Sequence, residues 1–322
     1  MKRILFVMDP LARLDHEWDT SLCLLRELSR RGHRSWAADV NDLWFTANTV
    51  HALAREVQPL PQSKYQESEA KTFPATHFDL ILIRKEPPFD SSYLYLTYLL
   101  ELVTESILVL NHPRGIRNYN EKLGILRFPA WCPETMVSKQ TDQILAFQNQ
   151  IQDDVVLKPL HLKGGEGVTR LKYRDSNAQP IIHRLTHGGN EFIMAQRFLI
   201  DKDSAADRRL ILIQGEIVTA YTKQPVPGDF RGNLCLGATA QKTEVTPKER
   251  QMVLELKPFL LQEGLQFVAL DIIADKIIEI NVTCPAGLPD AEIIYPELKL
   301  VAAWADSLEA LLDAQKDQKL QR

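Results

Sequence analysis

The stretch ILFVMD (residues 4–9) is apolar until its last residue. A strand with two apolar faces must be covered on both sides, as in a parallel sheet flanked by helices. The segments that follow fit that demand. Asp19 to Arg31 reads as a helix, with Leu22, Leu24, Leu25 and Leu28 apolar and Gly32 as its stop. Further strand-like runs are SWAADV (35–40), LILIR (80–84) and ILVLN (107–111). This alternation predicts an open parallel α/β sheet over roughly residues 1–111. Residues 55–77 are polar, carry Pro59, Pro61 and Pro74, and read as a long loop or excursion.

After residue 111 the pattern changes. Asn120 precedes a helical run, EKLGILRF, and ETMVS (134–138) is a short strand. VVLKPL (155–160), the glycine turn KGGEG (163–167) and VTRLKY (168–173) read as strand, turn, strand. EFIMAQRFL (191–199) and RRLILIQGEIVTAYT (208–222) add antiparallel structure, with Gln214-Gly215 as a hairpin turn. Thr246-Pro247-Lys248-Glu249 is a capping box with proline at the first helical position, and Gly264 ends that helix. A hairpin over 267–283 and a helix around 297–316 complete the chain, and QKDQKLQR (315–322) reads as a fraying helix end. With 322 residues, the chain exceeds one ordinary core, so two or three subdomains are expected.

Bulk properties exclude several functions. A net charge of −4 offers no basic field for nucleic acid. The N-terminal apolar run is too short for a signal peptide or membrane span. Cys23, Cys132, Cys235 and Cys284 lie far apart, without metal-ligand spacing or a disulfide framework, which suits a reducing cytoplasm. The dinucleotide fingerprint G-x-G-x-x-G and the Walker motif are both absent.

The hairpin FVALDIIADKIIEINVT (267–283) carries the most chemistry. With Ala274-Asp275-Lys276 as a three-residue turn, Ile273 faces Ile277 and Asp271 faces Glu279. Residues two apart share a face, so Asp271, Glu279 and Asn281 project to one side and Ile272, Ile278 and Ile280 to the other. Three oxygen-bearing side chains on one face suit a hard cation such as Mg²⁺. The same alternation also suits the exposed face of an antiparallel sheet. The turn HLKGGEG (161–167) offers backbone N–H groups to phosphate, or is a plain hairpin loop. Lys158 sits inside an apolar run where an uncompensated charge is costly. Lys122, Arg209 and Arg231 each read as an anion ligand or as an ordinary surface cation.

The order of these signals says more than any one of them. The chain resembles the ATP-grasp carboxylate–amine ligases and, more closely, the bacterial glutathione synthetases. The resemblance rests on VMDP (7–10), DLILIRKEPPFD (79–90), NEKL (120–123), PET (133–135), LKPL (157–160), MAQ (194–196), RGNL (231–234) and LDII…EINVT (270–283). It implies an N-terminal open parallel α/β domain (1–119) followed by an ATP-grasp fold of two α+β subdomains. These are a central lid unit (120–200) and a C-terminal unit with the metal site (201–322). Lys122 and Lys158 would contact ATP phosphates, with Gly164 and Gly165 in the loop that closes over them. Met194, Ala195, Gln196 and Leu199 would run beside the adenine. Asp271, Glu279 and Asn281 would hold Mg²⁺ or Mn²⁺, and Arg209, Arg231 and Asn233 would serve the transferred phosphoryl group and the acid substrate. The implied reaction joins γ-glutamylcysteine and glycine through an acyl phosphate, in a cytoplasmic homo-oligomer with no nucleic-acid or membrane partner.

Two stretches depart from the family pattern. The phosphate loop D-G-x-G-G is here His161-Leu162-Lys163-Gly164-Gly165, and no arginine stands between Thr283 and Arg322. A ligase with another acid or amine, or a nucleotide-binding regulator without turnover, is the alternative these departures leave.

Overall fold

The computed structural model describes residues 1–200 and 207–320. Three sheets follow one another along the chain. The first contains β1 (Arg3–Met8), β2 (Arg34–Ala38), β3 (Leu43–Thr46), β4 (Thr49–Leu60), β5 (Lys64–Glu67), β6 (Lys71–Pro74), β7 (Leu80–Arg84) and β8 (Leu108–Leu110). Strands β2, β1, β7 and β8 are neighbours in that order and run parallel, as the doubly apolar β1 requires. Helix α1 (Thr20–Arg30) follows β1, capped by the Asp19 carboxylate, and helix α2 (Ser91–Glu101) follows β7. They cover opposite faces of the sheet, with Leu22, Leu25 and Leu28 on one side and Tyr93, Leu96 and Leu100 on the other. Helix α3 (Pro113–Asn118) leads out of this unit.

The expected loop over 55–77 is not a loop. It forms most of an antiparallel extension in which β4 pairs with β2, β3, β5 and β6. Val50, Ala52, Ala54 and Val57 are the buried half of β4. Pro59 and Pro74 lie at or near strand ends and Pro61 lies in a turn, so proline removes little ladder pairing.

The second sheet has the order β11-β10-β12-β9, from β9 (Thr135–Ser138), β10 (Val155–Pro159), β11 (Thr169–Leu171) and β12 (Ile193–Arg197). Helices α4 (Thr141–Ile151) and α5 (Ala178–Leu185) back it with Ile144, Phe147 and Ile182. The third has the order β15-β14-β13-β16-β17, from β13 (Asp207–Ile213), β14 (Glu216–Gln224), β15 (Thr239–Lys242), β16 (Phe267–Ile273) and β17 (Lys276–Asn281). Helix α6 (Pro247–Gln262) covers it and has the expected reciprocal capping box between Thr246 and Glu249. The expected C-terminal helix is α8 (Leu300–Leu320), and a short helix that was not expected, α7 (Leu288–Ile294), precedes it. Of the expected fraying end, 315–320 is helical and the last two residues lie outside the described set; the expected boundary at 200/201 adjoins the other excluded segment.

Sheets one and three are locked together through buried polar contacts. The Asn111 side chain, 6% exposed, donates to the carbonyls of Phe267 and Val282 at 2.7 and 2.8 Å. Its oxygen accepts from the N–H groups of Gln266 and Phe267, both at 2.9 Å. Trp304 of α8 stacks on Phe267 at 4.1 Å, and Arg84 at the end of β7 lies over both rings. Asn111→Ala strands four backbone groups at once. It is expected to lower stability by about 3 kcal/mol, read from the midpoint of urea unfolding at unchanged slope.

Candidate functional site

The β16–β17 hairpin departs from the three-residue turn in an informative way. Its turn is Ala274-Asp275, both with positive φ, and Ile273 pairs with Lys276. An uninterrupted ladder from that turn would set Asp271 opposite Ile278. A register shift beyond the Ile272–Ile277 pair instead sets Asp271 opposite Glu279 and leaves Ile278 as an extra residue. Ile277 and Ile280 are buried in the core, whereas Ile278 lines the cleft beside Glu279. The expected placement of Ile278 on the far face is therefore wrong, because the bulge turns it. The Asp271–Glu279 pairing holds, and Asn281 Nδ2 lies 3.3 Å from Asp271 Oδ2.

Around this hairpin lies a cavity of about 290 Å³. Lys122 precedes a 3-10 turn, Leu123–Arg127, rather than opening an α-helix. Its ammonium donates to Glu279 Oε1 at 2.9 Å and to the Leu162 carbonyl at 2.7 Å. Burial disfavours the Lys122 charge, but Glu279 outweighs it and the pKa is raised. Lys158 on β10 donates to Gln196 Oε1 on β12 at 2.8 Å. Burial dominates there, and its pKa falls to about 8 despite Glu279. The glycine turn arches between β10 and β11 over the same cavity. Gly165 has φ +78, and a Cβ on it would meet Asn233 Oδ1 at 2.5 Å. Arg231, paired with Asp229, donates to the Gly165 carbonyl at 3.1 Å.

Gln196 and Leu199 line this cavity. Met194 and Ala195 do not: both side chains are fully buried, in separate cores on the two faces of β12. Their backbone is taken up as well, since β12 is paired on one side with β10 and on the other with β9.

A second cavity of about 340 Å³ adjoins the first, sharing Lys163, Gly164, Asn233 and Glu279 as walls. Arg209 projects from β13 and grips Asp271 with both branches, Nε to Oδ1 at 2.9 Å and Nη2 to Oδ2 at 2.7 Å. Lys223, on the neighbouring β14, donates to Asp271 Oδ1 at 2.9 Å and reaches Asp207 at 3.2 Å. Burial raises the cost of the Asp271 charge, but Arg209 and Lys223 overcome it and hold the carboxyl well below its usual range.

Lys223, Asp207 and Glu121 were not read from sequence. Glu121 accepts from the N–H groups of Val282 and Thr283 and from the Thr283 hydroxyl, fixing the strand end just past Asn281. Burial, then the nearby Glu279, raises its pKa. Lys223 lies inside TAYTKQP, with no distinctive neighbour in sequence, and gains its meaning only from the register of β14 on β13.

A divalent cation fits this donor set through exchange. Asp271, Glu279 and Asn281 converge on one face, and protein ammonium groups now stand on the two carboxylates, Lys223 on Asp271 and Lys122 on Glu279. The four acceptor positions of Asp271 are all filled, by Arg209 twice, Lys223 and Asn281. A metal joining Asp271 must displace one of them.

Comparison with known proteins agrees along nearly the whole chain. Residues 2–117 match the family model for the prokaryotic glutathione synthetase N-terminal domain, and residues 121–295 the model for its ATP-grasp domain. A glutathione synthetase of Nitrosomonas europaea is 39% identical over 293 residues, 89% of this chain and 91% of the relative. That of Vibrio cholerae is 36% identical over 318 residues, 98% and 99% of the two chains. Among solved structures, D-cycloserine synthetase matches with a TM-score of 0.66 at 15% identity, covering 96% of this chain and 99% of that one. A RimK-domain ATP-grasp protein from Sphaerobacter thermophilus gives 0.60 at 18% identity, covering 92% and 99%. These two likenesses speak for the ATP-grasp fold.

Two outcomes follow from the electrostatics. Because Lys158 sits near 8, binding of a nucleotide triphosphate is expected to take up a proton and to weaken as pH rises above about 8. Calorimetry in two buffers of different ionisation heat measures the uptake, and Lys158→Arg, which stays charged, removes it. Lys223→Met frees one acceptor position on Asp271. Mn²⁺ without nucleotide is expected to bind this variant roughly tenfold tighter than the wild type, as counted by electron paramagnetic resonance.

Proposed function

The chain belongs to the prokaryotic glutathione synthetase family, and we propose how its double cleft carries out that family's ATP-dependent C–N ligation. The first cavity takes ATP, and the second takes γ-glutamylcysteine and then glycine. The observation that carries this reading is the shared wall. Lys163, Gly164, Asn233 and Glu279 face both cavities, so a γ-phosphate in one and a carboxylate in the other would meet at that wall.

Lys122 and Lys158 are assigned to the ATP phosphates, with Gly164 and Gly165 above them. Gln196 and Leu199 are assigned to the base, with Met194 and Ala195 behind them as part of the strand that positions Gln196. Asp271, Glu279 and Asn281 are assigned to Mg²⁺, with Mn²⁺ an accepted substitute. When bound, the metal neutralises phosphate charge and aligns the phosphoryl group for transfer.

A carboxylate is a poor electrophile. Its oxygen attacks the γ-phosphorus, the bond to ADP breaks, and an acyl phosphate forms. The glycine amine then attacks the acyl carbon, the tetrahedral species collapses, and phosphate leaves. Arg209, fixed in place by its two bonds to Asp271, is assigned to the negative charge that develops on the transferred group. Arg231 ties the glycine turn down through the Gly165 carbonyl and Asn233 lies against Gly165, and both are assigned to keeping water from the acyl phosphate beneath. The three units, residues 1–119, 120–200 and 201–322, divide the labour as acid platform, lid and metal-bearing floor.

A cytoplasmic setting and a homo-oligomeric state belong to the same proposal. Four free cysteines support the first, and exposed Tyr95, Tyr98 and Leu102 along α2 support the second. Among the described residues, no helix is long and apolar enough to cross a membrane.

ADP release is expected only when ATP, Mg²⁺, γ-glutamylcysteine and glycine are all present, and sustained release without glycine contradicts the second half-reaction. Glu279→Gln is expected to cut kcat by roughly a hundredfold or more while its melting temperature stays within a few degrees of wild type. Full activity in that variant removes Glu279 from the metal site.

A further inference from the structure

The second cavity contains one oppositely charged pair that neither the phosphates nor the metal requires. Most of the other charges on its wall are committed. Arg209 and Lys223 are held by Asp271, Glu279 is held by Lys122, and Glu121 is saturated by the backbone and hydroxyl beyond β17. Asp290 sits in the first turn of α7. What remains is Lys163, on the glycine turn, paired with Glu86, on the segment after β7.

This pair is built for exchange. The Lys163 side chain is 48% exposed and that of Glu86 26%, so solvent reaches both and neither is locked by burial. They come from opposite walls, the turn above and the first sheet below. Partial burial disfavours the Lys163 charge, and the Glu86 carboxylate more than offsets it, so the pKa is raised. An ammonium and a carboxylate side by side match a molecule that carries a carboxylate and an ammonium on one carbon. The γ-glutamyl end of the acid substrate has that pattern, and its other end must reach Arg209 and Lys223 for phosphoryl transfer.

Resting on the function proposed above, we propose that Lys163 and Glu86 are the specificity-determining residues for the γ-glutamyl head. The ion pair parts when the acid binds: Lys163 takes the α-carboxylate and Glu86 takes the α-ammonium. No arginine occurs between Thr283 and Arg322 to supply that cation from the segment after the metal hairpin. Because Lys163 rides on the glycine turn, the acid replaces Glu86 as the tie between the turn and the first sheet, which couples acceptance of the acid to the position of the turn over ATP.

The test uses acids trimmed of one charge. N-(4-aminobutanoyl)cysteine lacks the α-carboxylate, and N-glutarylcysteine lacks the α-ammonium. Wild type is expected to prefer γ-glutamylcysteine over the first by roughly ten- to a hundredfold in kcat/KM. Lys163→Met is expected to lose most of that preference, with the KM for ATP changing less than the KM for the acid, and Lys163→Arg to regain it. Glu86→Gln is expected to lose the preference over N-glutarylcysteine instead. A Lys163→Met enzyme that is slower on all acids but equally selective overturns the proposal and leaves the lysine a mere loop prop. A wild type that forms no ADP from γ-glutamylcysteine and glycine overturns the functional reading itself.

Discussion

The Asp271 carboxylate, buried and gripped by Arg209 and Lys223, is the contact on which this cleft depends. An isolated carboxylate at that depth would be neutralised by protonation. Two cations from two adjacent strands keep it ionised, and they do so only if β14, β13 and β16 lie in this register. The ion cluster and the sheet therefore specify each other. A slip of one residue in either ladder would move Arg209 or Lys223 to the face covered by α6 and leave a buried charge unpaired.

Holding the hairpin in place falls to the first half of the chain. Asn111 binds the backbone at Gln266, Phe267 and Val282, and Glu121 binds it at Val282 and Thr283. Arg84 donates to the Pro285 carbonyl at 2.7 Å. The β16–β17 hairpin is thus positioned by side chains from three earlier segments. The first unit acts as a template for the cleft, and its segment after β7 is also part of the second cavity's wall.

Much of this was legible from local patterning. The doubly apolar β1 implied a covered parallel sheet, the Thr246 capping box marked α6, and the order of Lys122, Lys158, Arg209, Asp271 and Glu279 marked an ATP-grasp ligase. What escaped was set by long-range register. The alternation in β4 was masked by the prolines around it. The bulge that turns Ile278 into the cleft needs one extra residue, which a count from the turn cannot see. Lys223 and Glu121 have no local signature, since each acquires its partners from distant parts of the chain. Met194 and Ala195 carried a motif match, yet alternate sides of a doubly covered strand bury both of them.

Charge pairing across the cleft explains why so polar a site is tolerated by the fold. Lys122 on Glu279, Lys223 on Asp271 and Lys163 on Glu86 satisfy one another. As proposed, Asp271 and Glu279 go to the metal, Lys122 to phosphate, and Lys163 and Glu86 to the acid. On the proposed assignments, each ligand would exchange for an existing partner rather than bury new, unpaired charge. Lys158 is the exception. It has a neutral partner in Gln196 and a pKa lowered to about 8, so of these lysines it alone lacks a carboxylate to surrender. That imbalance makes it the residue with most to gain from an anion.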